Sequence, residues 1–354
     1  MYKINLMISN NILVSIIIPV FNVEQFIAET IESVLAQKLK DIEVIIVDDG
    51  SSDNSLKICQ RYAEVDARIQ LISQENQGVS IARNNGLLKA KGEYVFFMDS
   101  DDTIDNEFVS SSYAIAKKND SDIVIVGDYY CKRLPNLSAL PTCAQFIKND
   151  FLKNNSDVRF PEGIQPCEDG LFSHQLLALT DFVDKNPFGV YFYREHENQN
   201  HHRINENVEK VLKQIPKWFE ILESFYKKND IHTSHALHLA FFIEHEPFEL
   251  RYLAMPLNDD QKDFLHNLIK DFFQKNVIPN LSNKDKKRLS KPFVVFIKSK
   301  NYQKFDIFYK RHLWNLKMKR NFNIFIYKAK LKLVNIIPVS KYRKRIRAKI
   351  KPVI

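Results

Sequence analysis

"YVFFMDSDDT" (residues 94–103) drives five apolar side chains straight into Asp99, Asp101 and Asp102. So continuous an apolar run is the pattern of a strand buried on both faces. Carboxylates this close repel one another unless a cation or hydrogen bonds compensate them. The stretch therefore predicts a buried strand whose carboxyl end is a site with positive charge nearby. A solvated acidic turn that caps the next helix is the plainer alternative, because Asp is common at helix starts.

Working outward from that strand, the same design repeats. "VSIIIPVF" (14–21) and "IEVIIVDDGS" (42–51) are buried strands, "IQLISQ" is a third, and "DIVIVGDYY" (122–130) adds another. Between them "NVEQFIAETIESVLAQ" places Ile27, Ile31, Val34 and Leu35 at helical spacing. Asn22 and Gln25 form a capping-box pattern at its start. "SLKICQRYAEV" and "VSIARNNGLLKA" read as further helices. Alternation of this kind predicts an α/β protein with a mainly parallel sheet and helices on both faces. Ligands of such sheets bind at the carboxyl ends of the strands. Three of those ends here carry Asn22, Asp48 with Asp49, and the Asp99–Asp102 cluster. Beyond about residue 200 the pattern becomes long helical stretches rich in Phe, Leu, Ile and Lys, broken near "MPLNDD" and "NVIPNLSNKDKK".

Composition narrows the function classes. A chain of 354 residues exceeds one ordinary core and implies a main domain with a smaller one. Hydrophobic content of 45% with 27% charged residues is that of a folded globular chain. Only 8 glycines occur, and neither GxGxxG nor GxxxxGK(S/T) is present, which argues against a Gly-rich phosphate loop. Cys59, Cys131, Cys143 and Cys167 lie far apart without CxxC, as reduced, mostly buried thiols do. "NILVSIIIPVF" is too short for a membrane span, and no other segment reaches 18 apolar residues, so no transmembrane helix is expected. The net charge of +8 is unevenly spread: residues 310–354 hold 15 Lys and Arg and no acid, leaving 36 basic against 43 acidic residues elsewhere. A mildly acidic body with a basic tail predicts contact with a polyanion, nucleic acid or an anionic membrane. No base-reading fold precedes the tail, and its basic residues alternate with aliphatic and aromatic ones, so nucleic acid is not expected and a membrane surface is.

"VSIIIPVFN", "QKLKDIEVIIVDDGSSDNS", "ENQGVSIARNNGL", "GEYVFFMDSDD" and "EDGLF" follow one another in the order and spacing of the family 2 glycosyltransferases, and residues 12–200 resemble that family. The resemblance implies the GT-A fold, followed here by a helical C-terminal region. It implies a catalytic domain over 1–200, with nucleotide-sugar binding over about 12–115 and the acceptor side over about 116–200. A helical region over 201–309 and a basic amphipathic tail over 310–354 complete the expected organisation. Residue by residue, the family pattern makes Asp49 the reader of the nucleotide base, flanked by Pro19 and Phe21, which suits uracil and hence a UDP-sugar. It places Arg83 and Asn84 in the nucleotide pocket, and gives Asp99, Ser100 and Asp101 to the donor and its metal, with Asp101 and Asp99 holding Mn²⁺ or Mg²⁺. Asp169 becomes the base that takes the acceptor proton, with Glu168 orienting the acceptor, and Arg194 binds diphosphate. His196 or His201 would complete the metal shell. The same residues have structural alternatives: turn formation before Gly50, capping of the helix after Cys167, or polar surface.

The expected activity is inverting, metal-dependent hexosyl or N-acetylhexosaminyl transfer to a growing surface glycan or lipid-linked glycan. The place expected for it is cytoplasmic, peripheral at the inner membrane face. Two other classes compete. A nucleotidylyltransferase needs a Gly-rich basic loop near the N-terminus, which "IPVFNVEQF" lacks. A non-catalytic glycan-binding or scaffold protein would show an eroded "DSD" or "ED", and both are intact. His232, His235 and His238 recur at steps of three but lack Cys or carboxylate partners, which favours a helical surface or interface over zinc. Trp218 and the Phe residues of 218–310 are expected in the core.

Overall fold

The computed structural model describes residues 11–195 and 207–335. Strands β1 (Val14–Val20) and β2 (Ile42–Asp49) are buried at every position, as their unbroken apolar runs require. With β3 (Ile69–Gln74), β4 (Tyr94–Phe97), β6 (Ile123–Val126), β7 (Gln145–Lys148) and β8 (Val183–Asn186) they form a seven-stranded sheet of order β3-β2-β1-β4-β7-β6-β8. All neighbours run parallel except β7, which is antiparallel to both β4 and β6. A two-stranded ribbon of β5 (Thr103–Ile104) and β9 (Tyr191–Phe192) stands apart from it.

The chain steps outward from β1 to β3 through α1 (Ile27–Leu35) and α2 (Ser55–Val65), then returns through α3 (Val79–Lys89) to β4 on the other side of β1. That reversal opens a crevice between the ends of β1 and β4, the place where such sheets bind ligands. Pro19 fits there without loss. The last β1–β4 pair is Ile17 with Phe97, so the N–H that Pro19 lacks is missing beyond the end of that ladder.

Alternate residues face opposite layers. Ile16, Ile18, Val44, Ile46 and Phe96 pack with Ile27, Ile31 and Val34 of α1 and with Phe108 of α4 (Phe108–Asn119). Ile17, Ile45, Val95 and Phe97 face α3, where Gly86 permits close approach: a Cβ there would stand 2.4 Å from Ile17 Cγ2. This second layer continues without a break into Phe160, Phe172, Trp218, Tyr226, Phe242, Phe248 and Phe305. The helices Ile215–Lys228, Ala236–Ile243, Asp259–Asn276 and Lys291–Lys298 thus pack into the same hydrophobic core as the sheet. Trp218 and most Phe residues of 218–310 lie in or against that core as expected, whereas Phe264 is 45% exposed.

Three local expectations are corrected. The strand expected over 122–130 ends at Val126, because Gly127 takes φ +95° and the chain turns into α5 (Asp128–Cys131). Asn22 does not cap α1, which begins at Ile27. At φ +52° its Oδ1 instead accepts from the Ser52 and Asp53 N–H groups and fastens the loop after β2. The His series is not one helical face: Ala236–Ile243 contains only His238, whose ring stacks on His174 with centroids 4.2 Å apart. No helix among the described residues is long and apolar enough to cross a membrane.

Candidate active site

The three carboxylates after β4 have different surroundings. Asp102 is fully buried; its Oδ2 accepts from Tyr191 Oη at 2.7 Å and its Oδ1 from the Arg194 N–H at 2.8 Å. Burial pushes its carboxyl up to about 7, although both bonds favour the charged form. Asp102 therefore ties the β5–β9 ribbon to the sheet. Thr30 of α1 secures the same turn, donating to the Ser100 and Asp102 carbonyls at 2.9 and 2.8 Å. Asp99 accepts from Arg83 Nη2 at 2.8 Å, with a third of its side chain exposed. Asp101 is half-buried, and its carbonyl accepts from Arg194 Nε at 2.9 Å. The positive charge that the cluster demanded is thus supplied in part by Arg83 and Arg194.

Arg83 organises the centre. It is 5% exposed, lies 5.3 Å from the centroid of the Phe160 ring, and reaches Glu168 Oε1 with Nη1 at 3.3 Å. One guanidinium so joins the end of β4 to the start of α7 (Glu168–Leu177). α6 (Asn149–Asn154) and the chain through Phe160 lead into that helix. Its N-cap, Cys167, has φ +82°, an unfavourable conformation for a residue with a Cβ. Burial raises the carboxyl of Glu168, with Arg83 opposing. Asp169 is pushed up to about 7, first by burial and then by the adjacent Glu168 charge, against the pull of Arg83. A carboxyl titrating near neutrality is suited to proton transfer. Burial likewise raises the half-buried Cys143 thiol, beside Asp99, Asp102 and Asp169.

The remaining expected site residues fall in two groups. Phe21, just past the end of β1, is 49% exposed, and Ser100, past the end of β4, is buried. Asp49 and Asn84 act on backbone. Asp49 is 3% exposed; its Oδ1 accepts from Gln74 Nε2 and the Gln77 N–H, and its Oδ2 from the Gly78 N–H. It therefore braces the loop before α3. Gly50, in the loop after β2, packs against this loop at φ +74°, where a Cβ would meet the Asn76 nitrogen at 2.8 Å. Asn84 both donates to and accepts from the Phe160 backbone. Arg194 lies over the Phe26 ring at 5.0 Å and pairs with Glu29. His196 and His201 lie outside the described residues, as does the tail beyond residue 335.

Sequence reasoning missed Thr30, Asp102 and Tyr191 as the frame of the site. Tyr191 lies three residues before Arg194, but nothing local marks it as the partner of a carboxylate 89 positions away.

Residues 15–167 match the family model described as Glycosyl transferase family 2. The curated glycosyltransferase EpsJ of Bacillus subtilis, itself called uncharacterized, is 35% identical over 213 residues, which is 52% of this chain and 62% of that one. The minor teichoic acid biosynthesis protein GgaB of the same organism is 28% identical over 262 residues, covering 65% of this chain and 28% of its own. The chain thus spans less than two thirds of either relative. Among solved structures, S. aureus TarS 1-349 in complex with UDP-GlcNAc superposes with a TM-score of 0.61 at 20% identity, covering 83% of this chain and 89% of that one. Residues 15–167 are thus similar to glycosyl transferase family 2, and the chain has the GT-A fold, followed by a helical C-terminal region.

Proposed function

We propose that the protein is an inverting glycosyltransferase that moves a hexosyl or N-acetylhexosaminyl group from a UDP-sugar to a hydroxyl of a growing surface glycan. The observation that carries this reading is the Arg83 clamp: one buried guanidinium holds the β4 carboxylate Asp99 and the α7 carboxylate Glu168. Asp169 stands beside them with its carboxyl raised to about 7.

In this reaction Asp169 accepts the acceptor hydroxyl proton as that oxygen attacks the anomeric carbon opposite the diphosphate. The new C–O bond forms as the bond to the phosphate oxygen breaks, and the electron pair leaves with UDP. Glu168, held by Arg83, orients the acceptor. Phe21 flanks the base, and Asp49, whose Oδ2 accepts one N–H from Gly78, takes the imide N–H of the base. Arg194 and Ser100 border the diphosphate.

The oxygen-only donors Asp99 and Asp101 fit a hard divalent cation, Mn²⁺ or Mg²⁺. They would hold it while it neutralises charge on the diphosphate. No group of three His, Cys, Asp or Glu among the described residues is arranged to hold a metal, so substrate oxygens and water would fill the other positions.

The relation to GgaB, a minor teichoic acid biosynthesis protein, supports a cell-surface acceptor, and the TarS complex supports UDP. Membrane contact rests on the helix Tyr302–Asn335. Ile307, Trp314, Met318 and Phe322 are exposed on one side of it and Leu313 and Leu316 on the other, among Lys310, Arg311, Lys317, Lys319 and Arg320. Basic residues at an anionic bilayer contribute about 1 kcal/mol each. The proposed location is therefore the inner face of the cytoplasmic membrane.

The test is calorimetric titration with UDP and GDP, each with Mn²⁺ and with EDTA. Metal-dependent UDP binding that Asp101→Ala abolishes supports the donor assignment. Equal UDP affinity with and without metal overturns the metal role, and absence of nucleotide binding overturns the activity.

A further inference from the structure

Behind Asp169 lies a second buried charge pair. The segment Glu244–Leu253 is π-helical and contains Pro247; such turns recur at functional positions. It carries Glu246 and Arg251, 9% and 8% exposed, with Arg251 Nη2 at 3.2 Å from Glu246 Oε2. The Arg251 guanidinium lies 5.5 Å from the Trp218 ring centroid, and its Nε is buried without a hydrogen-bond partner. The other oxygen of Glu246 points at the first turn of α7. A Cβ on Gly170 would stand 3.5 Å from Glu246 Oε1 and 3.1 Å from Cys167 Sγ. The Glu246 carboxylate thus packs within van der Waals range of the helix start beside Asp169, where Cys167 Sγ is the tighter neighbour of Gly170.

We infer that Glu246, held by Arg251, is a positioning residue that sets the first turn of α7 and thereby the placement of Asp169 and Glu168. This inference rests on the proposed base role of Asp169. A buried carboxylate near a helix N-terminus interacts favourably with its unpaired N–H groups. A buried ion pair adds little net stability over apolar residues of equal volume, so this pair acts by fixing geometry. The charged groups facing Asp169 are Glu168 on its own helix, Arg83 from α3 and Glu246 from the π-helical turn. The Glu246 charge adds to the upward push on Asp169 and also acts on the buried Cys167 thiol.

The experiment compares wild type with Glu246→Gln, with the double variant Glu246→Gln/Arg251→Met, and with Asp169→Ala, in full-length protein. Expected for Glu246→Gln is a kcat lower by about 10- to 100-fold, as for misplacement of a reacting group by around an ångström, with UDP affinity and donor KM unchanged. The double variant leaves no unpaired buried charge; it is expected to melt like wild type and keep the low kcat. Wild-type kcat in Glu246→Gln overturns the inference, as does a double variant that regains stability and kcat together. If Asp169→Ala itself turns over normally, the base assignment fails first; if it is inactive while Glu246→Gln is normal, only the positioning role fails.

Discussion

Arg83 and Arg251 occupy matching situations on either side of one helix start. Each is buried, each lies over an aromatic ring, and each keeps an Nε without a partner. They differ in what they hold. Arg83 joins two elements of the sheet region by binding Asp99 and Glu168, whereas Arg251 pairs with Glu246 within its own turn. Asp169 stands between them. The difference teaches that the sheet region supplies the polar groups of the proposed chemistry, while the helical region supplies the wall against which they are set.

The largest expected effect tests the centre of that comparison. Asp169→Asn should lower kcat by about 10²- to 10⁴-fold, the range for loss of a general base, while UDP titration gives an unchanged affinity. Undiminished turnover would remove the reason for contrasting the two arginines.

Arg83→Met should come next. It strands two carboxylates, Asp99 and Glu168, and breaking a buried pair costs about 3–5 kcal/mol. Thermal unfolding should fall accordingly, and UDP binding should weaken because Asp99 loses its anchor. Arg251→Met strands one carboxylate and should destabilise less, leaving UDP affinity intact. Equal loss of UDP binding in both variants would merge the two arginines into one functional unit.

The pH dependence sharpens the point. A base must be deprotonated to act, and the Asp169 carboxyl is raised to about 7. Activity should therefore rise with pH up to about 7 and level off above it. For stability the sign is opposite. A carboxyl raised on folding binds more protons in the folded chain, so its contribution is present at low pH and is lost as pH rises through about 7. An acid limb of kcat/KM near pH 4 would show an unshifted carboxylate and no contribution from the buried surroundings.

The smallest effect belongs to the surface. Lys228 of the helical region pairs with Asp157 at 2.6 Å, both about half exposed. Lys228→Ala should change stability by less than about 1 kcal/mol and leave turnover unaffected. A larger loss would mean that exposed pairs, and not the shared core, couple the two regions.

How much of this was legible beforehand follows the range of each interaction. The strands β1, β2 and β4 announced themselves, because burial on both faces writes an apolar run into consecutive residues. The carboxylates at their ends were equally plain, and so were Arg83 and the Glu168–Asp169 pair, each within a short quoted motif. Less legible was the division of labour among them: nothing local separates the ribbon-tying Asp102 from the exposed Asp99, or reveals that Asp49 braces the Gln77–Gly78 backbone. The capping pattern at Asn22 misled because that side chain finds better partners across a loop 30 residues away.

By itself the sequence determined the sheet, its polar strand ends and the resemblance to a family, since these depend on contiguous residues and on local periodicity. Only the tertiary structure decided that β7 enters antiparallel beside β4, that Arg83 reaches a glutamate 85 positions on, and that Glu246 meets the turn at Gly170. Those contacts are chosen by burial: a charged group removed from water takes whichever partner the packed core brings within reach, and that choice is made only once the two regions share one core.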